Sequence, residues 1–182
     1  MATPQPTASE TRNHQTFSAL MWALSYPGRP QRLPFAAPGA YAAIGDALLD
    51  IETSFFTDDA ALHTALLRTG ARPLGVDRAG YQFYPQLSAA ACAGLVAAPM
   101  GTFTHPDRGA TLVIGCALGE GRALTLSGPG LPRPATIHIG GLPSALWQVR
   151  RRCIRYPLGW DIVLVDGEQL VGIPRTSSVE EA

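Results

Sequence analysis

The 182 residues carry 14 arginines, 14 acidic side chains and no lysine, for a formal net charge of zero; that length gives one domain a sizeable core without staples, whereas two domains would each be small. Without lysine there is no Schiff-base chemistry on pyridoxal phosphate or an aldolase imine, no P-loop phosphate lysine and no kinase strand lysine. With zero net charge, bulk electrostatics do not argue for nucleic acid or an anionic membrane, and neither is expected as partner; no apolar run reaches the 18 residues of a spanning helix.

Charged residues make up 15% of the chain, against roughly 25% in a typical soluble domain, so the surface is either unusually neutral or partly covered by a partner. No basic region precedes an apolar block at the N-terminus, and no secretory signal is expected. Residues 1–10 read as a frayed tail, followed by one α/β domain over 11–182. The spacing of Phe17, Leu20, Met21 and Leu24 predicts a helix over 11–25 with those four as its apolar stripe, stopped at Ser25-Tyr26-Pro27-Gly28. A short strand is expected at 31–35, a helix at 40–49 and a strand at 52–57. Asp58 is the expected N-cap of a helix carrying Leu62, Leu66 and Leu67, closed by Thr69-Gly70.

Strands are expected at 71–76 and 81–84, then a short Ala-rich helix capped by Ser88 and a Gly/Pro loop over 98–109. Residues 111–118 and 122–127 read as a hairpin turning at Gly119-Glu120-Gly121. Gly128-Pro129-Gly130 ends it, and 134–139 is another strand. A helix opens at Pro143 or Ser144 and runs to about Ile154, with Leu142, Leu146, Val149 and Cys153 inward and Arg150, Arg151, Arg152 and Arg155 on the remaining faces. A last hairpin, 160–165 and 169–173, turns at Asp166-Gly167. Helices alternating with strands early, and strands clustering late, predict an α/β fold with a mixed sheet.

Few residue patterns point to chemistry. His14, His63, His105 and His138 show no metal-ligand spacing and no cysteine nearby; His105, on the Gly/Pro loop, is the one whose setting suits a general acid or base. There is no G-x-S-x-G elbow. Gly119-Glu120-Gly121-Arg122 resembles half of a dinucleotide loop but joins two expected strands and lacks the third glycine, so it reads as a turn. Asp46 and Asp50, four apart, would share a helix face; the choice is between acid/base or metal work and a solvated face with a cap at Asp58. Cys92, Cys116 and Cys153 read as buried, reduced thiols of a cytoplasmic protein. The cluster Arg150-Arg151-Arg152 with Arg155 either meets phosphate or carboxylate or forms a solvated or subunit-facing helix side. A two-residue turn in the last hairpin brings Asp161 beside Arg175, so an ion pair is expected there, structural or ligand-holding.

The run Tyr156-Pro157-Leu158-Gly159-Trp160-Asp161, an apolar strand, a glycine turn, then Ile173-Pro174-Arg175-Thr176, resembles the C-terminal signature of the PhnH family, the H subunit of bacterial carbon–phosphorus lyase. Other stretches fit in the family's order: Phe17 through Ser25-Tyr26-Pro27-Gly28, Leu49-Asp50-Ile51-Glu52-Thr53, Gly109-Ala110-Thr111-Leu112, Gly121-Arg122, and Leu126-Ser127-Gly128-Pro129-Gly130-Leu131. Tyr156 stands where the family more often has Phe, and Trp160 where it has a smaller aliphatic residue; the arginine-rich helix is not a family feature.

The resemblance implies a three-layer αβα sandwich with a mixed sheet, like the large domain of pyridoxal-phosphate-dependent transferases without the cofactor, which agrees with the missing lysine. No cofactor and no metal are expected. It further implies a homodimer that joins the G, I and J subunits of the lyase core complex in phosphonate catabolism, which makes a ribose 1-alkylphosphonate 5-triphosphate from ATP and an alkylphosphonate. The H subunit has no established catalytic residues, so an assembly role is expected. The candidate motif, ligand or interface residues are Pro157, Gly159, Asp161, Pro174, Arg175, Thr176, Arg122 and His105. The rival reading is an independent nucleotide- or phosphonate-binding protein or transferase using Arg175, Arg122 or His105.

Overall fold

In the computed structural model, which describes residues 5–181, the first helix opens on a capping box. Thr7 Oγ1 accepts from the Glu10 amide, and the Glu10 carboxylate accepts from the Thr7 amide, satisfying two of the free N–H groups of the first turn. Helix α1 therefore spans Ala8–Ser25, starting inside the expected tail; residues 1–4 of that tail lie outside the described residues. The chain continues through β1 (Gln31–Arg32), α2 (Gly39–Leu48), β2 (Ser54–Thr57), α3 (Ala60–Leu66), β3 (Arg72–Pro73), β4 (Tyr81–Tyr84) and α4 (Ala89–Gly94). Then come β5 (Thr111–Gly115), β6 (Ala117–Ser127), β7 (Ala135–Gly140), α5 (Leu146–Cys153), β8 (Asp161–Asp166), β9 (Gln169–Ile173) and β10 (Ser178–Glu181).

Seven strands form a mixed sheet in the order β1-β9-β8-β5-β4-β2-β3. Its members from β8 to β3 run parallel, and β9 and β1 are added antiparallel at one edge. A separate antiparallel sheet has the order β10-β6-β7. The central parallel strands are apolar on both faces, as burial on both sides requires. Val113, Val163 and Val165 pack against Leu20, Ile44 and Leu66 of α1, α2 and α3. Leu112, Ile114, Ile162 and Leu164 pack on the other face against Cys92 of α4, Leu146 and Cys153 of α5, and Leu124 and Leu126 of β6. The α/β class with a mixed sheet thus holds. One covering layer is helical; the other is two short helices together with the small antiparallel sheet.

Several local expectations change. The expected apolar stripe of α1 splits: Thr16, Ala19, Leu20 and Ala23 are buried, while Phe17 and Met21, with Trp22, stay about half exposed. The helix approaches β9 closely, since a Cβ on Gly172 would lie 2.5 Å from the Ala23 carbonyl oxygen. At that point α1 turns Ala23 inward, while Leu20, one turn earlier, reaches the core. The hairpin expected at Gly119-Glu120-Gly121 does not form, because β5 pairs with β4 and β8 while β6 pairs with β7 and β10. Those residues are instead a bulge within β6, where the register shifts between Leu118 and Arg122, and bulges favour glycine for the same backbone reasons that turns do. The cap of α3 is Asp59, not Asp58: its Oδ1 accepts from the Leu62 amide at 2.7 Å. Asp50 lies beyond α2 and accepts from the amides of Glu52 and Thr53, so it shares no helix face with Asp46. Ser88 caps α4 as expected. The three cysteines are free thiols, Cys92 and Cys153 buried and Cys116 half-buried. Strand β10, along the outer edge of β6, has no counterpart in the sequence reading.

Candidate functional site

Strands β5 and β8 start side by side, with Thr111 opposite Asp161, and β9 returns to the same end. Arg175, two residues past β9, therefore meets Asp161. Its Nη2 lies 2.6 Å from Asp161 Oδ2, its Nε 3.2 Å from both carboxylate oxygens, and its backbone N–H donates to Oδ1 at 2.7 Å. The two side chains are only 13% and 19% exposed. Nη1 donates to the Pro106 carbonyl at 2.5 Å, and Nη2 also reaches the Gly109 carbonyl at 3.5 Å. One guanidinium thus ties the start of β8, the segment after β9 and the loop before β5. Gly109 is required beside it, because a Cβ there would stand 2.1 Å from the Gly159 carbonyl oxygen and 2.3 Å from Arg175 Nη1. Gly159 itself takes φ +141°, which favours glycine.

Arg150 corrects the expected arginine surface. It is 4% exposed and donates from Nη2 to the carbonyls of Pro174 at 2.9 Å and Ser177 at 3.0 Å. Burial pulls its pKa down to about 10, and the Asp161 carboxylate pulls the other way, the usual contest between desolvation and an opposite charge. Arg151, Arg152 and Arg155 remain exposed. Arg151 lines a cleft of about 380 Å³ with Trp147, Tyr156 and Thr176. Arg150 and Arg175 together pin the 174–177 turn from two sides, and that turn leads directly into β10.

The sequence candidates divide accordingly. Asp161, Arg175, Gly159 and the Pro174 carbonyl belong to one cluster, and Thr176 borders it. Pro157 lies in the tight turn closed by Arg155 and Leu158, which bond each other's backbone. His105 is exposed, its Nδ1 is 3.0 Å from the Thr104 hydroxyl, and no carboxylate among the described residues pairs with it. Arg122 is elsewhere, paired with Glu181 across β6 and β10. No three or more His, Cys, Asp or Glu side chains among the described residues gather to hold a metal ion, and no helix there is long and apolar enough to cross a membrane.

The sequence reading missed what α1 presents outward. Phe17, Met21, Trp22 and Tyr26 are 42–52% exposed, and the Trp22 and Tyr26 rings stack at 5.5 Å. Arg29 stands 6.0 Å over the Tyr26 ring, and Arg12 stands 5.7 Å over Phe35. This is an apolar strip with a basic rim. The apolar spacing was visible in the sequence; the direction it faces was not.

A family model described as "Bacterial phosphonate metabolism protein (PhnH)" matches residues 6–180. Among curated proteins, a putative C-P lyase subunit protein, HtxG, of Stutzerimonas stutzeri is 32% identical over 171 residues, spanning 92% of this chain and 86% of that protein. The alpha-D-ribose 1-methylphosphonate 5-triphosphate synthase subunit PhnH of Rhizobium meliloti (strain 1021) is 30% identical over 184 residues, spanning 90% of this chain and 88% of that protein.

Proposed function

The chain belongs to the PhnH family of bacterial phosphonate metabolism proteins, and from that premise we propose that it serves as an accessory subunit of a carbon–phosphorus lyase complex. The observation that carries this reading is the match over residues 6–180, because it takes in the entire sheet and both covering layers. In this role the chain contributes to forming a ribose 1-alkylphosphonate 5-triphosphate from ATP and an alkylphosphonate, by assembly and not through a catalytic centre of its own. The geometry at Asp161 supports that part. Arg175 engages both carboxylate oxygens and two carbonyls, so the pair's charge is spent on holding the chain together. General acid–base work needs a group with a free position toward a reactant.

The proposal extends to a homodimer joined to G, I and J subunits in the cytoplasm. The 15% charge content and the apolar strip on α1 suit an interface, since interface centres are poor in charge and rich in aromatic residues, Met and Arg. The likeness to the large domain of pyridoxal-phosphate transferases, without their cofactor, is part of the same reading; the parallel central strands support it.

Growth on methylphosphonate tests the function. A strain lacking its lyase is given this chain's own partner subunits, with and without the chain. Growth only when the chain is present is the expected result. Equal growth without it would overturn the subunit role.

A further inference from the structure

Open α/β sheets bind ligands outside the carboxyl ends of their strands, where successive connections leave to opposite sides. Here that point lies between β2 and β4. From β2 the chain passes through α3 to β3 on one side, then returns to β4 on the other side and continues through α4 to β5. Helix α3 packs on one face of the sheet and α4 on the other. A cleft of about 650 Å³ opens there, lined by the residues directly after the two strand ends, Asp58 and Asp59 after β2 and Pro85 and Gln86 after β4, and by Tyr41 of α2. It lies at the end of the sheet opposite to the Asp161–Arg175 cluster.

Tyr41 is 5% exposed, yet its hydroxyl makes no hydrogen bond with the described residues. A Cβ on Gly115, at the end of β5, would sit 2.5 Å from that hydroxyl and 2.2 Å from the Pro85 carbonyl oxygen, so only glycine there lets the phenol and the segment after β4 close in on the end of β5. Burial pushes the phenol's pKa up to about 12, with Cys116 and Asp166 adding to it; the group stays protonated at neutral pH and can both donate and accept. Asp59 Oδ1 is engaged at the α3 cap, while Asp58 is exposed. No arginine lines the cleft, so an anionic group gains nothing there. A carboxylate, a phenol and the Gln86 amide around one opening suit neutral hydroxyls.

We infer that this cleft binds the vicinal diol of a ribosyl group, with Asp58 accepting from the diol and the Tyr41 hydroxyl and Gln86 amide completing its hydrogen bonds. The choice of ribose among diols rests on the proposed function. The test titrates the full chain, and the complex captured with its partners, with adenosine by calorimetry. Saturable binding is expected, weakened about tenfold by Tyr41→Phe or Asp58→Asn and by 2′,3′-dideoxyadenosine in place of adenosine, with melting curves unchanged. The inference is overturned if neither preparation binds adenosine, if the dideoxy compound binds equally well, or if both variants bind as the wild type does. Tighter binding of putrescine than of adenosine would also overturn it, by showing that the carboxylates select a cation. Capture of partner subunits is read separately, so loss of the diol site leaves the subunit role standing. Loss of capture with binding intact removes only the argument for ribose.

Discussion

Arg175 joins three segments that are far apart in sequence, and the cost of losing it follows from what it would strand. Removing one member of a buried ion pair leaves the other charge without a partner, at about 3–5 kcal/mol. Arg175→Ala is expected to lower the urea midpoint accordingly, and Arg175→Lys to recover little, because an ammonium lacks the planar fork that meets carboxylate and carbonyls together. An Arg175→Ala chain with the wild-type midpoint would point to a ligand-holding role instead. The half-buried Cys116 makes a second prediction. Burial, with a smaller contribution from Asp166, raises its thiol from 9.0 to about 12, so the folded chain holds that proton more tightly than the unfolded chain does. The resulting stability is complete below pH 9 and is lost as the pH rises from 9 to about 12. The melting temperature should fall across that window, and Cys116→Ala should make the fall shallower. An identical slope in both chains would rule out Cys116 as its source.

Helix α1 approaches β9 closely at Gly172, where there is no room for a side chain beside the Ala23 carbonyl. Gly172→Ala would push a methyl group into the Ala23 carbonyl, and overpacking of this kind costs about 1–3 kcal/mol; thermal melting with a drop of that size checks it, and an unchanged melting point would mean that α1 is not seated by that contact. The outward strip is a separate matter. Trp22→Glu should leave melting unchanged, since Trp22 is 46% exposed, and should reduce recovery of partner subunits or the dimer mass. Full recovery of both would place the interface elsewhere. The sequence disclosed the helix and its apolar spacing but not its rotation, which is set by a strand that a helical wheel does not contain. The β6 bulge was misread for a related reason: Gly-Glu-Gly serves a turn or a bulge equally, and only the pairing of β6 with β7 and β10 decides between them. The Asp161–Arg175 pair was legible because a two-residue turn fixes its register. The burial of Arg150 was not, since its acceptors are carbonyls of a turn that exists to deliver β10.

Across the whole molecule the two ends of the parallel strands have different characters. The amino-terminal end is closed by Arg150, Arg175 and Asp161, with glycines where segments touch. The carboxyl-terminal end is open, and its cleft gathers residues from α2 and from the segments after β2 and β4 that no local pattern links, so sequence motifs drew attention to the closed end. The C-terminal motif nevertheless carried the family resemblance, and it holds the Asp161–Arg175 pair that closes that end of the sheet. The central claim is that this chain acts within an assembly. Co-expression of the tagged chain with the proposed G, I and J partners, affinity capture, and a native mass measurement of what is recovered test it most directly. The account predicts one stoichiometric complex containing the chain and all three partners. A chain recovered alone, as monomer or dimer, beside folded partners would contradict it.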